Sequence, residues 1–334
     1  MSNLSVNTIT DASGGSTASI NGLTPQASNM QPFNRIINGA MTVDQRNAGA
    51  AVTVTTAAYT LDRYLASNTT GTGTITAQQS TLGNSKSFKL TATAAVTDLS
   101  AGLRVQGIQQ RIEAQNIFDL NNTTITVSFK VETNWTGNLA VALRSSGTLR
   151  SYIIDAPVES GTNNISISIP LQSDTVSAND SSIGVEFNIG ANNEGDRRTA
   201  TTGSWVTGNY FLSTSSTQWT KTLNNFINIT GVQLEAGSFG SSFAHENVGD
   251  TLRKCQRYYT VGGQKDSSGS GATTSSTTRY GVTMRAAPAL SFGNSPQGAG
   301  TVLPAGTDWI SATEFSAYVS QPSINFSYTA NAEL

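Results

Sequence analysis

The sequence predicts an all-β protein built around an antiparallel β-sandwich, and three observations carry that reading. Thr, Ser, Gly and Asn are abundant while the strong helix formers Leu, Lys, Glu and Met are sparse, which is the balance of a chain of strands and turns. Short runs alternate strictly between apolar and polar residues, as in Ile125-Thr-Val-Ser-Phe-Lys-Val131, Ile165-Ser-Ile-Ser-Ile169 and Val185-Glu-Phe-Asn-Ile189. Such a period of two, punctuated by turns roughly every ten residues, implies antiparallel sheets buried on one face. Nowhere do helices and strands alternate as a parallel α/β sheet would require.

Taken in order, residues 1–32 form a polar leader. It has short strand-like runs (Leu4 to Ile9, Thr17 to Ile20) around Gly14-Gly15, and Pro25 and Pro32 punctuate it. It is too thin for a core of its own and reads as an N-terminal arm. Residues 33–246 carry the sandwich. Within them the loop Glu132-Thr-Asn-Trp-Thr-Gly137 joins one alternating strand to the next, Leu139-Ala-Val-Ala-Leu143. The segment Phe226 to Phe243 closes the region: Ile227 and Ile229 face the core, Gly231 permits a bulge, and Val232 with Leu234 resume burial after the slip.

Residues 247–263 are expected to form a connecting helix, with Asn247 as its cap and Asp250 in its first turn. Val248, Leu252, Cys255 and Tyr259 would make one apolar stripe at spacings of 4, 3 and 4, with Arg253, Lys254 and Arg257 elsewhere and Gly262-Gly263 as the stop. Gln264 to Thr278 is rich in Ser, Thr and Gly and reads as a flexible loop. The rest of 264–334 reads as a small C-terminal β unit, in Tyr280 to Phe292 and Ser316 to Tyr328. No fixed internal repeat is present.

Charge and composition exclude several functions. Only 12% of the residues are charged and the net charge is -2, so there is no field to attract nucleic acid. No basic leader with an apolar core and no window of about 18 apolar residues occurs, so neither secretion nor membrane insertion is expected. A single cysteine, Cys255, allows no internal disulfide, consistent with synthesis in a reducing cytosol.

Catalytic patterns are equally thin. Cys255 could act as a nucleophile only with His245 as base, yet the helical stripe makes it a small buried hydrophobe. Two Cys/His residues cannot build a structural zinc site, and Asp44, Asp62 and Asp98 are the weak candidates for calcium. Acid pairs such as Asp155/Glu159 and Glu194/Asp196 have no spacing that selects them for glycoside hydrolysis. Gly71-Thr-Gly73 and Gly262-Gly263 lack the Lys-Ser/Thr end of a phosphate loop. The expectation is therefore a protein without catalytic residues, metal or cofactor. Trp135, Trp205, Tyr210 and Trp219 lie in or beside loops, where flat rings could stack on a sugar; the competing role for each is to plug the core or an interface.

Three stretches carry a resemblance. Phe33-Asn-Arg-Ile-Ile-Asn-Gly-Ala-Met-Thr-Val-Asp-Gln-Arg46 with Tyr59-Thr-Leu-Asp-Arg-Tyr64 resembles the opening of a jelly-roll module of bacteriophage tail fibres and related virion proteins. Ile229-Thr-Gly-Val-Gln-Leu-Glu-Ala-Gly237 with Phe243, running into Cys255-Gln-Arg-Tyr-Tyr259, resembles its last strand and exit. Met284-Arg-Ala-Ala-Pro288 and Asn331-Ala-Glu-Leu334 resemble the C-terminal unit, and Val6 to Gly15 with Ile20-Asn-Gly22 looks like a tail-fibre N-terminus.

The resemblance implies a jelly roll similar in outline to carbohydrate-binding modules, in a virion protein made in the host cytoplasm. It implies a tail fibre or adhesin, attached by its arm to other phage proteins, trimeric with itself, and touching a host surface receptor for which glycan is the candidate. Alternatives are a non-adhesive nozzle, collar or capsid decoration, and a polysaccharide depolymerase. The motifs mark scaffold strands, which places the ligand site elsewhere.

Overall fold

A computed structural model describes residues 34–68, 74–95, 106–145, 147–192, 195–267, 273–294 and 302–334. The expected arm, residues 1–32, lies outside the described residues, as do Gly71-Thr-Gly73, Asp98 and Glu194.

The larger part of the chain contributes β1 (Val52–Val54), β2 (Ala58–Leu61), β3 (Tyr64–Asn68), β4 (Thr74–Leu82), β5 (Ser85–Ala94), β6 (Gln106–Glu113) and β7 (Thr124–Thr133). These are followed by β8 (Gly137–Ser145), β9 (Arg150–Val158), β10 (Gly161–Pro170), β11 (Ile183–Gly190), β12 (Arg198–Thr199), β13 (Trp205–Thr207), β14 (Leu212–Ser213) and β15 (Phe226–Ala236). Six form one sheet in the order β1-β4-β5-β15-β7-β10, and seven form a second in the order β13-β9-β8-β11-β6-β3-β2. Pairing within both sheets is antiparallel, and the two-residue pair β12-β14 is parallel. This is the all-β jelly-roll sandwich that the alternation and the resemblance implied.

The core lies between the two sheets because one parity of each strand is apolar. Phe88, Leu90, Ile125, Val127, Ile227 and Leu234 face Leu139, Val141, Val185 and Ile189, all buried. The expected slip in β15 is present. Gly231 has φ +64, pairing with β7 shifts register between Thr230 and Gln233, and Val232 and Leu234 are buried beyond it. A left-handed residue at that point is inexpensive only for glycine. The first half of β15 pairs with β5. Past the bulge its free edge is taken by the opening motif, through Arg35 N to Leu234 O at 2.9 Å and Val232 N to Gly39 O at 3.0 Å. A side chain at Gly39 would collide with the Val232 carbonyl, so this Asn-Gly step is fixed by close backbone approach.

The remaining elements are α1 (Val248–Gln256), β16 (Tyr259–Ser267), β17 (Thr274–Arg279), β18 (Ala289–Gly293), β19 (Gly306–Ile310), β20 (Glu314–Val319) and β21 (Ser323–Asn331). Two three-stranded sheets, β16-β21-β18 and β17-β20-β19, enclose a second apolar cluster around Met284, Phe315, Ile324 and Phe326.

Three expectations are corrected in this region. The helix ends at Gln256 instead of reaching Gly262-Gly263, because residues from Tyr259 onward pair with β21 over nine positions. Gly262 sits there because a side chain would meet the Tyr328 ring. The buried stripe is Thr251, Cys255 and, in the turn after the helix, Tyr258, while Val248 is 58% exposed; once the strand takes over, helical spacing no longer governs Tyr259. Finally, most of Gln264 to Thr278 is strand. Thr274, Ser276 and Thr278 alternate inward, with the Gln264 side chain bonding Ser276 and Thr278. The Asn247 cap is present: its Oδ1 accepts the Gly249 N–H at 2.8 Å.

Candidate functional site

The exit of the sandwich builds a depression on the outer face of the six-stranded sheet. Outward residues of β15 hold the segment that follows it. Buried Glu235 accepts the Ser241 N–H at 2.7 Å and the Ser241 hydroxyl at 2.7 Å. Gln233 donates to Glu235 and accepts the Ala244 N–H at 2.8 Å. From neighbouring strands, Thr126 and Ser168 donate to the Gly237 and Ser238 carbonyls. Residues 237–244 are thus stitched across the sheet, and they carry Phe243 to a position over Gly231. Phe243 and His245 meet edge to face, centroids 5.0 Å apart.

The depression so formed has a volume of about 370 Å³. Its floor is a short ladder in which Ser166 lies beside Ser128, and Asn164 beside Lys130, which lies beside Thr230. Gly240 and Ser241 wall one side, Phe243 and His245 another. Thr230 uses its hydroxyl on the Lys86 carbonyl. The side chains of Ser128, Lys130, Asn164 and Ser166 make no polar contact with the described residues. Around them the sheet spends its polar groups on structure, whereas here they face the space. Among the described residues, no carboxylate lines it.

A second hollow, of about 220 Å³, lies beyond Phe243 and His245, with Asn34, Glu246 and Lys254 in its lining. A third, of about 200 Å³, opens beside Arg35, Arg111 and Arg257. Its cations are already engaged: Arg35 with Asp119 at 2.7 Å, Arg111 with Glu186 at 2.8 Å, Arg257 with Glu113 at 3.0 Å, and Lys254 with Glu246.

That third hollow borders the junction where the C-terminal unit meets the sandwich, and here the three resembling stretches converge. Arg63, 1% exposed, pairs with Glu333 and lies over the Tyr258 ring at 3.5 Å. Arg46 reaches Glu333 at 2.8 Å and stacks over Tyr259 at 3.8 Å. Gln45 bridges Asp62 and the Tyr259 carbonyl, and Arg285 donates to the Ala332 carbonyl at 2.9 Å. Burial raises the Asp62 pKa to about 6 even though the Gln45 side chain and N–H hold its carboxylate. Burial, with the charge of Asp62 beside it, also pushes the Cys255 thiol well up. A thiol kept protonated is the opposite of an activated nucleophile, so Cys255 packs as a small hydrophobe. Asp44 and Asp62, the calcium candidates, direct their oxygens at the N–H groups of Asn47, Gly49 and Gln45.

The four aromatic candidates lie outside the depression. Trp219 is fully buried and Trp135 is 8% exposed; both belong to the sandwich core, which corrects their reading as ligand platforms. Trp135 donates to the Phe226 carbonyl at 3.0 Å. Trp205 is half-buried, donates to the Pro170 carbonyl at 2.7 Å and meets Tyr152 edge-on. Tyr210 is half-buried against the apolar cover of the seven-stranded sheet. The sequence marked His245 only as a base for Cys255, and gave Phe243 and the outward set of β7 no ligand role. The signal was present in the motif itself, since Thr230, Gly231, Gln233, Glu235 and Phe243 are the residues that shape the hollow. A hollow thus lies directly beside these scaffold strands.

No protein-family model and no curated protein matches the chain. Among solved structures it is similar to the enzymatically active domain of bacteriophage CBA120 tailspike protein 4, with 14% identity and a TM-score of 0.33 over 61% of this chain and 21% of that one. It is similar to the CBM22-1 xylan-binding domain from Paenibacillus barcinonensis, with 8% identity and a TM-score of 0.30 over 63% of this chain and 97% of that one. It is also similar to a family 11 carbohydrate-binding module from Clostridium thermocellum, with 8% identity and a TM-score of 0.25 over 57% of this chain and 90% of that one. The chain thus spans about a fifth of the tailspike chain it matches.

Proposed function

We propose that the chain is a saccharide-binding adhesin of a tailed-phage virion, a tail fibre or comparable part, which holds host-surface glycan in the depression under Phe243. The observation that carries this reading is the hollow of about 370 Å³ whose floor presents unspent hydroxyl, amide and ammonium groups beside an aromatic ring. Sugars need this combination: their hydroxyls require directional donors and acceptors, and their apolar faces pack on flat rings. The stitching by Glu235 and Gln233 fixes the walls in advance and so reduces the ordering cost of binding. Attachment through residues 1–32, a homotrimer and a location in the virion belong to the same proposal and rest on the resemblance of the opening, exit and C-terminal motifs.

Binding without turnover is the proposed activity, because glycoside hydrolysis requires two flanking carboxylates and none of the described residues that line the hollow is one. The test is a host-glycan array with the full chain and with Phe243→Ala. Saturable binding lost in the variant is expected. Equal signal from both proteins would remove the site, and reducing ends released from host polysaccharide would replace binding by depolymerisation.

A second reading, a non-adhesive virion part, draws on the junction: the residues of the resemblance also close buried ion pairs between the sandwich and the C-terminal unit. Absence of saturable glycan binding, with immunolabelled particles decorated at the head or collar, would favour it.

A further inference from the structure

We infer that the sugar taken by this hollow carries a carboxylate, as a hexuronic or sialic acid does, and that Lys130 and His245 read it. The inference rests on the saccharide reading above and adds a charge to it. Lys130 is exposed on β7 in the middle of the floor. It differs from the arginines of the neighbouring junction hollow and from Lys254, each of which has an acid within ion-pair distance. Lys89, on β5 of the same sheet, lies over the Phe226 ring at 4.0 Å.

The acids nearby are engaged. Glu132, two residues along β7, receives the Asn228 amide at 3.1 Å, and Glu235 is closed off by Ser241 and Gln233. Among the described residues, a ligand seated against Phe243 therefore meets one free ammonium, one imidazole and several hydroxyls, and no negative group in the lining.

A neutral sugar in that position would draw water from the ammonium and give it only neutral partners, which is costly. A carboxylate restores the charge-assisted bond, and Ser128, Ser166 and Asn164 remain for the ring hydroxyls. Selectivity for the acidic form then follows from an unpaired donor that only an anion fully satisfies.

Calorimetric titration of the full chain with matched pairs tests this. The probes are trigalacturonate and its carboxyl-reduced form, and sialyllactose and lactose. At least one acidic member should bind about ten-fold or more tightly than its neutral partner, the preference shrinking as salt is raised. Lys130→Gln should remove the preference, bringing the acidic member's affinity to that of its neutral partner, with the circular-dichroism spectrum unchanged. Lys86→Gln, an exposed lysine outside the lining, should retain it. Equal affinity for acidic and neutral members overturns the carboxylate inference and leaves the saccharide reading standing. Equal loss in Lys86→Gln and Lys130→Gln assigns the preference to the general field and also overturns it. No saturable heat from either member of either pair removes both readings.

Discussion

The two outer faces of the sandwich have opposite fates. On the six-stranded sheet the outward residues of β7, Ser128 and Lys130, meet open space at the floor of the hollow. On the seven-stranded sheet the outward Ala140, Ala142 and Ile153 lie under Phe211 and Leu212, fully buried. Further along, Glu186 is held between Arg111 and Arg144, and the C-terminal unit closes over the rest through Glu113, Arg257 and Glu333. One sheet is thus covered on both sides and works as a joint, while the other keeps one side for a ligand. Part of the difference is in the strands themselves: under the apolar cover β8 is apolar from Leu139 to Leu143, whereas β7 is apolar only at alternate positions.

Breaking this contrast should be easiest on the covered side. Ala142→Lys forces a long charged side chain under Phe211 and Leu212, where a buried alanine leaves it no room. Urea unfolding should show a loss of about 3 kcal/mol or more; a change below about 1 kcal/mol would mean the cover is loose. Glu333→Gln leaves Arg63 buried and uncompensated and should cost about 3 kcal/mol in the same measurement, in line with breaking one side of a buried pair.

Asp62 gives the junction a pH signature. Its folded pKa, about 6 against an ordinary value of 3.8, means that the ionised form costs the fold. Stability from this group is therefore gained as pH falls through about 6 toward 4 and is lost as pH rises again, by up to about 3 kcal/mol at about 1.4 kcal/mol per pKa unit. Asp62→Asn should remove that gain, read as the difference between the two proteins' stability against pH; identical profiles would place the proton elsewhere.

On the open side the effects are smaller. Gly231→Ala forces a Cβ onto a left-handed residue and should cost about 1–2 kcal/mol. It should also weaken saccharide binding, since the bulge sets Phe243. Ser166→Lys should change stability by no more than about 0.5 kcal/mol and still block the hollow, a split that its covered counterpart Ala142→Lys cannot show.

Much of the contrast was legible. Leu139-Ala-Val-Ala-Leu143 is apolar at all five positions, the pattern of a doubly covered strand, while Ile125 to Val131 alternates and keeps one face polar. The bulge at Gly231 and the Asn247 cap were equally readable, because each depends on one residue type with one special conformation. What escaped depends on contacts between distant residues. Glu186 and Asn188 look like a solvated face, yet both are buried, since their partners Arg111, Arg144 and the Phe211 carbonyl come from elsewhere. Tyr258 replaces Tyr259 in the buried stripe because the helix yields to a strand whose register is set by β21. The hollow itself comes from the crossing of residues 237–244, fixed by Glu235 and Ser241, which have no periodicity to betray them.

The pairing of Arg63 with Glu333 spans 270 residues. At about 5–20 residues per second on the ribosome, the guanidinium waits on the order of tens of seconds for its acid. During that time the seven-stranded sheet carries an unpaired charge on a face meant to be shut. A nascent chain halted before that residue is expected to be cut by protease where one that includes Glu333 is not. In the order of synthesis the two halves of this ion pair are made far apart, Arg63 early and Glu333 270 residues later.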